Sequence, residues 1–166
     1  MDAKTRPGAE SHALDFVIAS DRWSEEPDSE RVIARAIKAA AASIGLERGL
    51  DLCLMLADDE EMRILNNRWR GQNKPTNVLS FPAPPAPAQG ASRLGDIAIG
   101  FETVAREARE QGKPFADHLA HLAVHGFLHL SGYDHQSEAE AQRMEALERD
   151  ILAQLAVPDP YAPREP

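Results

Sequence analysis

The sequence predicts an α+β protein: a single domain with a mixed four-stranded sheet and about five helices packed on it. The chain has 166 residues, 43% hydrophobic and 27% charged, which is typical of a globular domain with a real core. Short apolar runs alternate with segments of helical periodicity, and no repeat or long low-complexity tract interrupts them. We therefore expect one domain over residues 1–166, with loose termini at 1–12 and 160–166.

Four short apolar runs predict the strands of the sheet. They cover residues 14–19, 50–57, 76–82 and 94–100. The third and fourth runs are separated by a segment, 83–90, whose prolines lack backbone donors, so it is predicted to be a surface loop. This short link indicates that the third and fourth strands form an antiparallel pair.

Helical periodicity and end signals predict five helices. They cover residues 28–44, 58–70, 102–111, 114–130 and 137–156. Asp28 or Ser29 caps the first helix and Gly45 ends it, whereas Ser137 and Glu140 form a capping box at the start of the last. The order β-α-β-α-β-β-α-α-α predicts helices packed on one mixed sheet.

The net charge of -9 argues against nonspecific adhesion to nucleic acid or to an anionic membrane. The charges are distributed unevenly along the chain, because residues 62–95 contain no Asp or Glu. The five cations of this stretch are Arg63, Arg68, Arg70, Lys74 and Arg93. If the fold turns this stretch towards a cleft, the cleft has a positive surface on an acidic body.

Neither a signal peptide nor a membrane span is predicted, since the first residues lack an apolar region and no run of ~18 apolar residues occurs. The single cysteine, Cys53, cannot form an internal disulfide, which fits a reducing compartment. We expect a soluble, cytoplasmic protein without a membrane partner. The sequence leaves the oligomeric state open.

The stretch H-G-F-L-H-L-S-G-Y-D-H, which begins at His125, has the spacing of a metal site. His125 and His129 are four residues apart on one helix, so both imidazoles can reach one ion. Gly132 ends the helix in a conformation that suits glycine, and the chain can then bring His135 to the same point. The offsets match the two histidines, turn glycine and third histidine of the metzincins. Three neutral imidazoles with an open fourth position predict a catalytic zinc ion, one per chain.

Three neighbouring residues have several possible roles. His118 and His121 lie on the same helix face as His125 and His129, and could support the ligands, contact substrate or be partly exposed polar residues. Asp134 could orient a ligand histidine or cap the last helix.

Gly126 occupies the position where a zinc protease carries its glutamate base. Glycine has no carboxylate to take a proton from bound water, so the peptidase mechanism is impaired. Phosphodiester hydrolysis instead needs a cation at the phosphoryl oxygens, preferably a planar arginine fork. The carboxylate-free stretch offers Arg70 and Lys74 for that role.

Several motifs resemble those of the YbeY family of bacterial metal-dependent endoribonucleases, from about residue 50 to 161. They are L-N-N-R-W-R-G-Q-N-K-P-T-N-V-L-S-F-P, L-G-D-I-A-I, the histidine block from Gly112, and M-E-A-L-E-R-D-I-L followed by D-P-Y. The resemblance implies an α+β fold, zinc held by His125, His129 and His135, and a functional arginine at Arg70. The glycine at Gly126 belongs to the family pattern.

The resemblance also implies a substrate and a pathway. It implies cleavage of single-stranded RNA in ribosomal RNA maturation, especially at the 3′ end of the small-subunit RNA, and in ribosome quality control, with ribosomal assembly proteins as further partners. The nucleophile could be water or a ribose 2′-hydroxyl. The alternatives are a zinc metallopeptidase, opposed by Gly126, and a noncatalytic ribosome assembly factor, opposed by a ligand set that is not closed.

Overall fold

A computed structural model gives the fold of residues 13–46, 50–84 and 93–162. The strands are β1 (Ala13–Ile18), β2 (Asp51–Ala57), β3 (Val78–Pro82) and β4 (Arg93–Gly100). The helices are α1 (Ser29–Ser43), α2 (Asp59–Arg70), α3 (Phe101–Glu110), α4 (Phe115–Leu130) and α5 (Glu138–Gln154). The predicted α+β class, with four strands and five helices, is confirmed.

The four strands form one mixed sheet in the order β1-β2-β4-β3. β1 pairs with β2 and β2 with β4 in parallel, whereas β3 pairs with β4 antiparallel, as the short link predicts. Most of the predicted loop at 83–90 lies outside the described residues. No helix within the described ranges is long and apolar enough to cross a membrane.

Helices cover the two faces of the sheet unequally. Leu52, Leu54, Ile97 and Ile99 point to the face where α1 and α4 form the main core. Because side chains alternate along a strand, Ala98 points to the other face, where it packs with Met62 of α2. α4 is the central helix, since it contacts β3, β4 and the helices α1, α3 and α5.

A short 3-10 helix at Asp21–Glu25 was not predicted. It buries Trp23, whose Nε1 donates to the carbonyl oxygen of Ala57 at 2.9 Å and whose ring packs edge-on against Phe101. This element depends on one long-range anchor and is too short to show a periodic pattern.

The structure describes only part of the two chain ends. Residues 1–12 and 163–166 lie outside the described residues. Near the other end, within the segment 160–166 that was expected to be loose, the Tyr161 hydroxyl donates to buried Glu148 and its ring packs against His121.

Candidate metal centre and its groove

Helix α4 and the turn after it bring together the three histidines whose spacing predicts a metal site. His125 and His129 lie one turn apart on α4, which ends at Leu130. Gly132 has a φ of 99°, a left-handed value that suits glycine, so the chain reverses there as predicted. His135 follows the turn, and its ring centre lies 5.0 Å from that of His129.

The three imidazoles fit a shared metal ion. One ligand nitrogen from each of His125, His129 and His135 can be chosen so that all lie within 4.8 Å of one another. The Nε2 atoms of His125 and His129 are 3.1 Å apart. Two nitrogens on one tetrahedral zinc ion lie about 3.3 Å apart, given zinc–nitrogen bonds of about 2.0–2.1 Å. The observed spacing therefore suits two ligands of one ion.

The electrostatics of His129 also suit a ligand. Burial lowers the pKa of His129, and the neighbouring His125 and His135 lower it further. A depressed pKa keeps the imidazole neutral near pH 7, which is the form that binds a metal.

Gly126 is buried against the sheet, which gives a steric reason for the absence of the protease glutamate. A Cβ atom at this position would lie 3.2 Å from Ser80 Oγ, 3.2 Å from Val78 Cγ2 and 3.3 Å from Ile97 Cγ2. A side chain here would therefore press on β3 and β4. The packing of α4 on the sheet thus makes any side chain at this position crowded.

Glu148 of α5 is the main residue near the site that was not predicted from the sequence. Its side chain is 0% exposed, and its Oε1 lies 2.5 Å from His125 Nδ1. Its Oε2 accepts from His121 Nε2 at 3.1 Å and from the Tyr161 hydroxyl. Burial alone would raise the pKa of Glu148, but these three hydrogen bonds outweigh it and lower the pKa to about 2.

A sequence signal for Glu148 did exist. Met144, Ile151 and Leu152 form a buried apolar face on α5, and Glu148 lies on the same face. A carboxylate at core spacing is rarely buried without partners.

His118 and His121, whose roles the sequence left open, each pair with a carboxylate. His121 pairs with Glu148, whereas buried His118 pairs with Glu107 of α3, with a distance of 2.9 Å between Nε2 and Oε1. Glu107 also accepts from Asn77 Nδ2 at 2.9 Å. His118 thus belongs to a separate network that joins α3, α4 and the residue before β3.

Asp134 supports His135 through the backbone. Its Oδ1 accepts from the backbone N–H of His135 at 2.8 Å. The cap of α5 is instead Ser137, whose Oγ accepts from the backbone N–H of Glu140 at 3.1 Å. Of the two roles considered for Asp134, the helix cap is therefore excluded.

The three histidines line one side of an open groove of about 1300 Å³, which we call the histidine groove. Arg70, the last residue of α2, lines the same groove. Gly71 ends α2 with a φ of 68°, and the chain then turns towards β3. Lys74 lines an adjoining cavity that Arg70 and Arg106 also line, so of the two predicted cations only Arg70 lines the histidine groove itself.

The cations of the carboxylate-free stretch differ in their pairing. Arg63 is paired with Glu60 and Arg93 with Asp96, each at 2.5 Å. Within the described residues, no carboxylate pairs with Arg68, Arg70 or Lys74, and of these three only Arg70 lines the histidine groove. Its charge is therefore available to a bound anion.

Fold and site together define an α+β protein with a histidine cluster that could hold a metal ion in an open groove. A model of the family described as "Endoribonuclease YbeY" matches residues 18–156. The chain belongs to the YbeY family, and the predicted family is thus confirmed.

Curated relatives support the same assignment over nearly the whole chain. Endoribonuclease YbeY of Bradyrhizobium sp. (strain BTAi1) is 57% identical over 91% of this chain and 93% of the relative. The protein of the same name from Rhodopseudomonas palustris (strain BisA53) is 56% identical over 92% of each chain. That from Nitrobacter winogradskyi is 50% identical over 98% of this chain and 93% of the relative.

A solved structure supports the fold. The solution structure of TM1509 from Thermotoga maritima matches with a TM-score of 0.54 and 23% identity, and the match covers 90% of this chain and 99% of that one.

Proposed function

We propose that this protein is a zinc-dependent endoribonuclease that cuts single-stranded RNA during ribosomal RNA processing. Its substrates would include the 3′ end of small-subunit ribosomal RNA and the RNA of defective ribosomes, and its partners would include ribosomal assembly proteins. It would act in the cytoplasm as one domain. The observation that carries this proposal is the common location of three convergent imidazoles and an unpaired arginine in the histidine groove.

His125, His129 and His135 would hold one zinc ion through neutral imidazoles. When bound, the ion would supply Lewis acidity for phosphodiester hydrolysis. Three protein ligands leave a position open, which is typical of catalytic rather than structural zinc sites. The histidine cluster therefore favours an enzyme over an assembly factor that binds zinc only for stability.

Arg70 would bind the phosphodiester and stabilise the negative charge that develops on its oxygens. A guanidinium presents a planar pair of donors that matches two phosphoryl oxygens. Because no described carboxylate pairs with Arg70, this interaction need not displace an internal ion pair. Arg70 would be the catalytic residue outside the metal ligands.

Trp69 favours unpaired RNA as the substrate. Its side chain is 62% exposed, although a tryptophan is seldom so accessible, and it lines the histidine groove beside Arg70. Phe81 supports the ring at a centroid distance of 5.9 Å. Exposed aromatic rings beside a cationic groove stack the bases of single strands, and paired bases do not offer their faces.

The test uses purified, zinc-loaded protein on three substrates: a labelled single-stranded RNA, a duplex of the same sequence and a peptide library. We expect cleavage of the single strand, little cleavage of the duplex, and none of the peptides. His129→Ala, purified in parallel, controls for contaminating nucleases. Peptide cleavage that disappears in His129→Ala would reverse the assignment. The end groups of the RNA products distinguish water from a ribose 2′-hydroxyl, because only the latter leaves a cyclic phosphate.

A further inference from the structure

Glu148 carries a charge in the core, and the proposed reaction assigns it no role. It lies on the apolar face of α5 with Met144 and Ile151, and its side chain has no exposed surface. Burial of a carboxylate is unfavourable unless hydrogen bonds replace its water. Three side chains provide them: His121, His125 and Tyr161.

We infer that Glu148 is a positioning residue that fixes the tautomer and orientation of His125 for metal binding. An ionised carboxylate only accepts hydrogen bonds, so His125 Nδ1 must carry the proton. The lone pair of His125 then lies on Nε2, the atom that is 3.1 Å from His129 Nε2. This inference rests on the proposed function, because the metal ion is part of that proposal.

The surroundings of Glu148 fix the carboxylate as well as the imidazole. His121 Nε2 and the Tyr161 hydroxyl both bind Oε2, which leaves Oε1 for His125. Arg149 in turn lies over the Tyr161 ring and pairs with Asp159 at 3.4 Å, so the chain after α5 is held against this side of the groove. The result is a chain of contacts from residues 159–161 to a candidate metal ligand.

A second metal ion is the competing explanation. One ligand atom each from His121, His125 and Glu148 lies within 4.8 Å of the others. An ion there would need Nδ1 of His125 without its proton while Nε2 serves the first ion, which requires a doubly deprotonated imidazole. It would also compete with the hydroxyl of Tyr161 for Oε2. A hydrogen-bonded carboxylate needs neither change, and carboxylates commonly orient metal-binding histidines in this way.

The first measurement is the tautomer of His125 in the metal-free protein, read from two-bond ¹H–¹⁵N correlations of the imidazole. We expect the parent to show the proton on Nδ1. In Glu148→Met, which matches the volume but accepts no hydrogen bond, we expect a mixture with the Nε2-protonated form. In Glu148→Gln the amide oxygen can still accept from His125, but the amide NH2 group must then face the donors His121 and Tyr161, so we expect only partial recovery of the parent tautomer.

The second measurement is zinc affinity by competition with a chelator. Glu148→Met should bind zinc about 10–100-fold more weakly than the parent, the usual range for loss of such a partner, and Glu148→Gln should lose less. Glu107→Gln is the matched control, because Glu107 of α3 pairs with a histidine of α4, His118, that is not a candidate ligand. It should keep the affinity of the parent.

Several results would overturn the inference. One is a parent spectrum with the proton on Nε2 of His125, which decides the matter even if Glu148→Met fails to fold. Another is a folded Glu148→Met variant with the parent's tautomer and zinc affinity. A third is a second equivalent of zinc in the parent that is lost in both Glu148→Met and His121→Ala. None of these measurements uses RNA cleavage, so the endoribonuclease proposal can fail separately.

Discussion

Ser80 Oγ donates a hydrogen bond of 3.0 Å to the carbonyl oxygen of Gly126, which joins β3 to α4 at the residue after His125. Because Gly126 has no side chain, the helix backbone can lie directly on the strand. This close approach sets the depth of α4 against the sheet, and with it the position of His125 and His129. The glycine at the position of the protease glutamate is thus part of the packing of α4 on the sheet.

Gly126→Ala should destabilise the protein. Helix propensity alone favours alanine by about 1 kcal/mol, but overpacking at a buried contact costs about 1–3 kcal/mol. The new Cβ would overlap Val78, Ser80 and Ile97, so we expect a net loss of about 1 kcal/mol in urea unfolding of the metal-free protein. Ser80→Ala also removes the hydrogen bond to Gly126, so the comparison is a double-mutant cycle: Gly126→Ala should cost less in a Ser80→Ala background than in the parent, because one of the three contacts is absent there. A more stable Gly126→Ala would contradict the close packing.

Arg70→Ala should slow RNA cleavage by about 100-fold or more, equivalent to at least ~2.7 kcal/mol of transition-state stabilisation. Arg70→Lys should recover only part of the rate, because an ammonium lacks the planar pair of donors. Zinc content and thermal stability should stay near those of the parent. Arg63→Ala is the matched control and should cleave at the parent's rate, since Arg63 lies on the same helix but is paired with Glu60 and does not line the histidine groove. Equal rates for the parent, Ala and Lys forms would remove Arg70 from the mechanism.

Single substitutions of His125, His129 or His135 by alanine should each weaken zinc binding strongly, from close to one equivalent per chain in the parent. The reason is that each change removes one of only three protein ligands. Elemental analysis after dialysis measures the retained metal. His118→Gln should keep its zinc, since His118 pairs with Glu107 outside the cluster. Full retention of zinc in all three alanine variants would refute the site.

The stability contributed by Glu107 should depend on pH. A hydrogen bond from His118 holds the pKa of Glu107 below its ordinary value of 4.5, assisted by Asn77 and opposed by burial. A depressed carboxyl pKa contributes stability above the unfolded pKa, and this contribution is lost as pH falls through the folded pKa. In the metal-free protein, Glu107→Gln should therefore be less stable than the parent at pH 7, by on the order of 1 kcal/mol.

The difference in unfolding free energy between the parent and Glu107→Gln should disappear as pH falls below about 4.5. Urea unfolding across this range measures it, with Asp150→Asn as a control at an exposed acid of α5. A gap of constant size at all pH values would show that the charge of Glu107 is irrelevant.

Most of the fold could be predicted because its signals are local. Apolar runs and caps gave four strands and five helices, and the short link between β3 and β4 gave their antiparallel pairing. The order of the other strands depends on pairing across long stretches of chain, and no local signal encodes it. The 3-10 helix at Trp23 was missed because a tertiary contact to Ala57 holds it.

In the candidate site, too, the residues related by local spacing could be predicted and those brought together by the tertiary fold could not. His125, His129 and the turn at Gly132 follow from helix geometry, so their convergence with His135 was predictable from spacing. Glu148 is 23 residues from His125, and only the packing of α5 on α4 brings them together. Arg70 reaches the histidine groove from α2, so its location there depended on the tertiary fold.

The most direct test of the account is the rate of cleavage of one labelled single-stranded RNA as zinc is titrated into metal-free protein. The rate should rise with zinc occupancy and level off near one equivalent per chain in the parent. His129→Ala, at the same zinc concentrations, should show little cleavage. A rate that is independent of zinc, or equal in the parent and His129→Ala, would contradict a metal-dependent endoribonuclease built on these histidines.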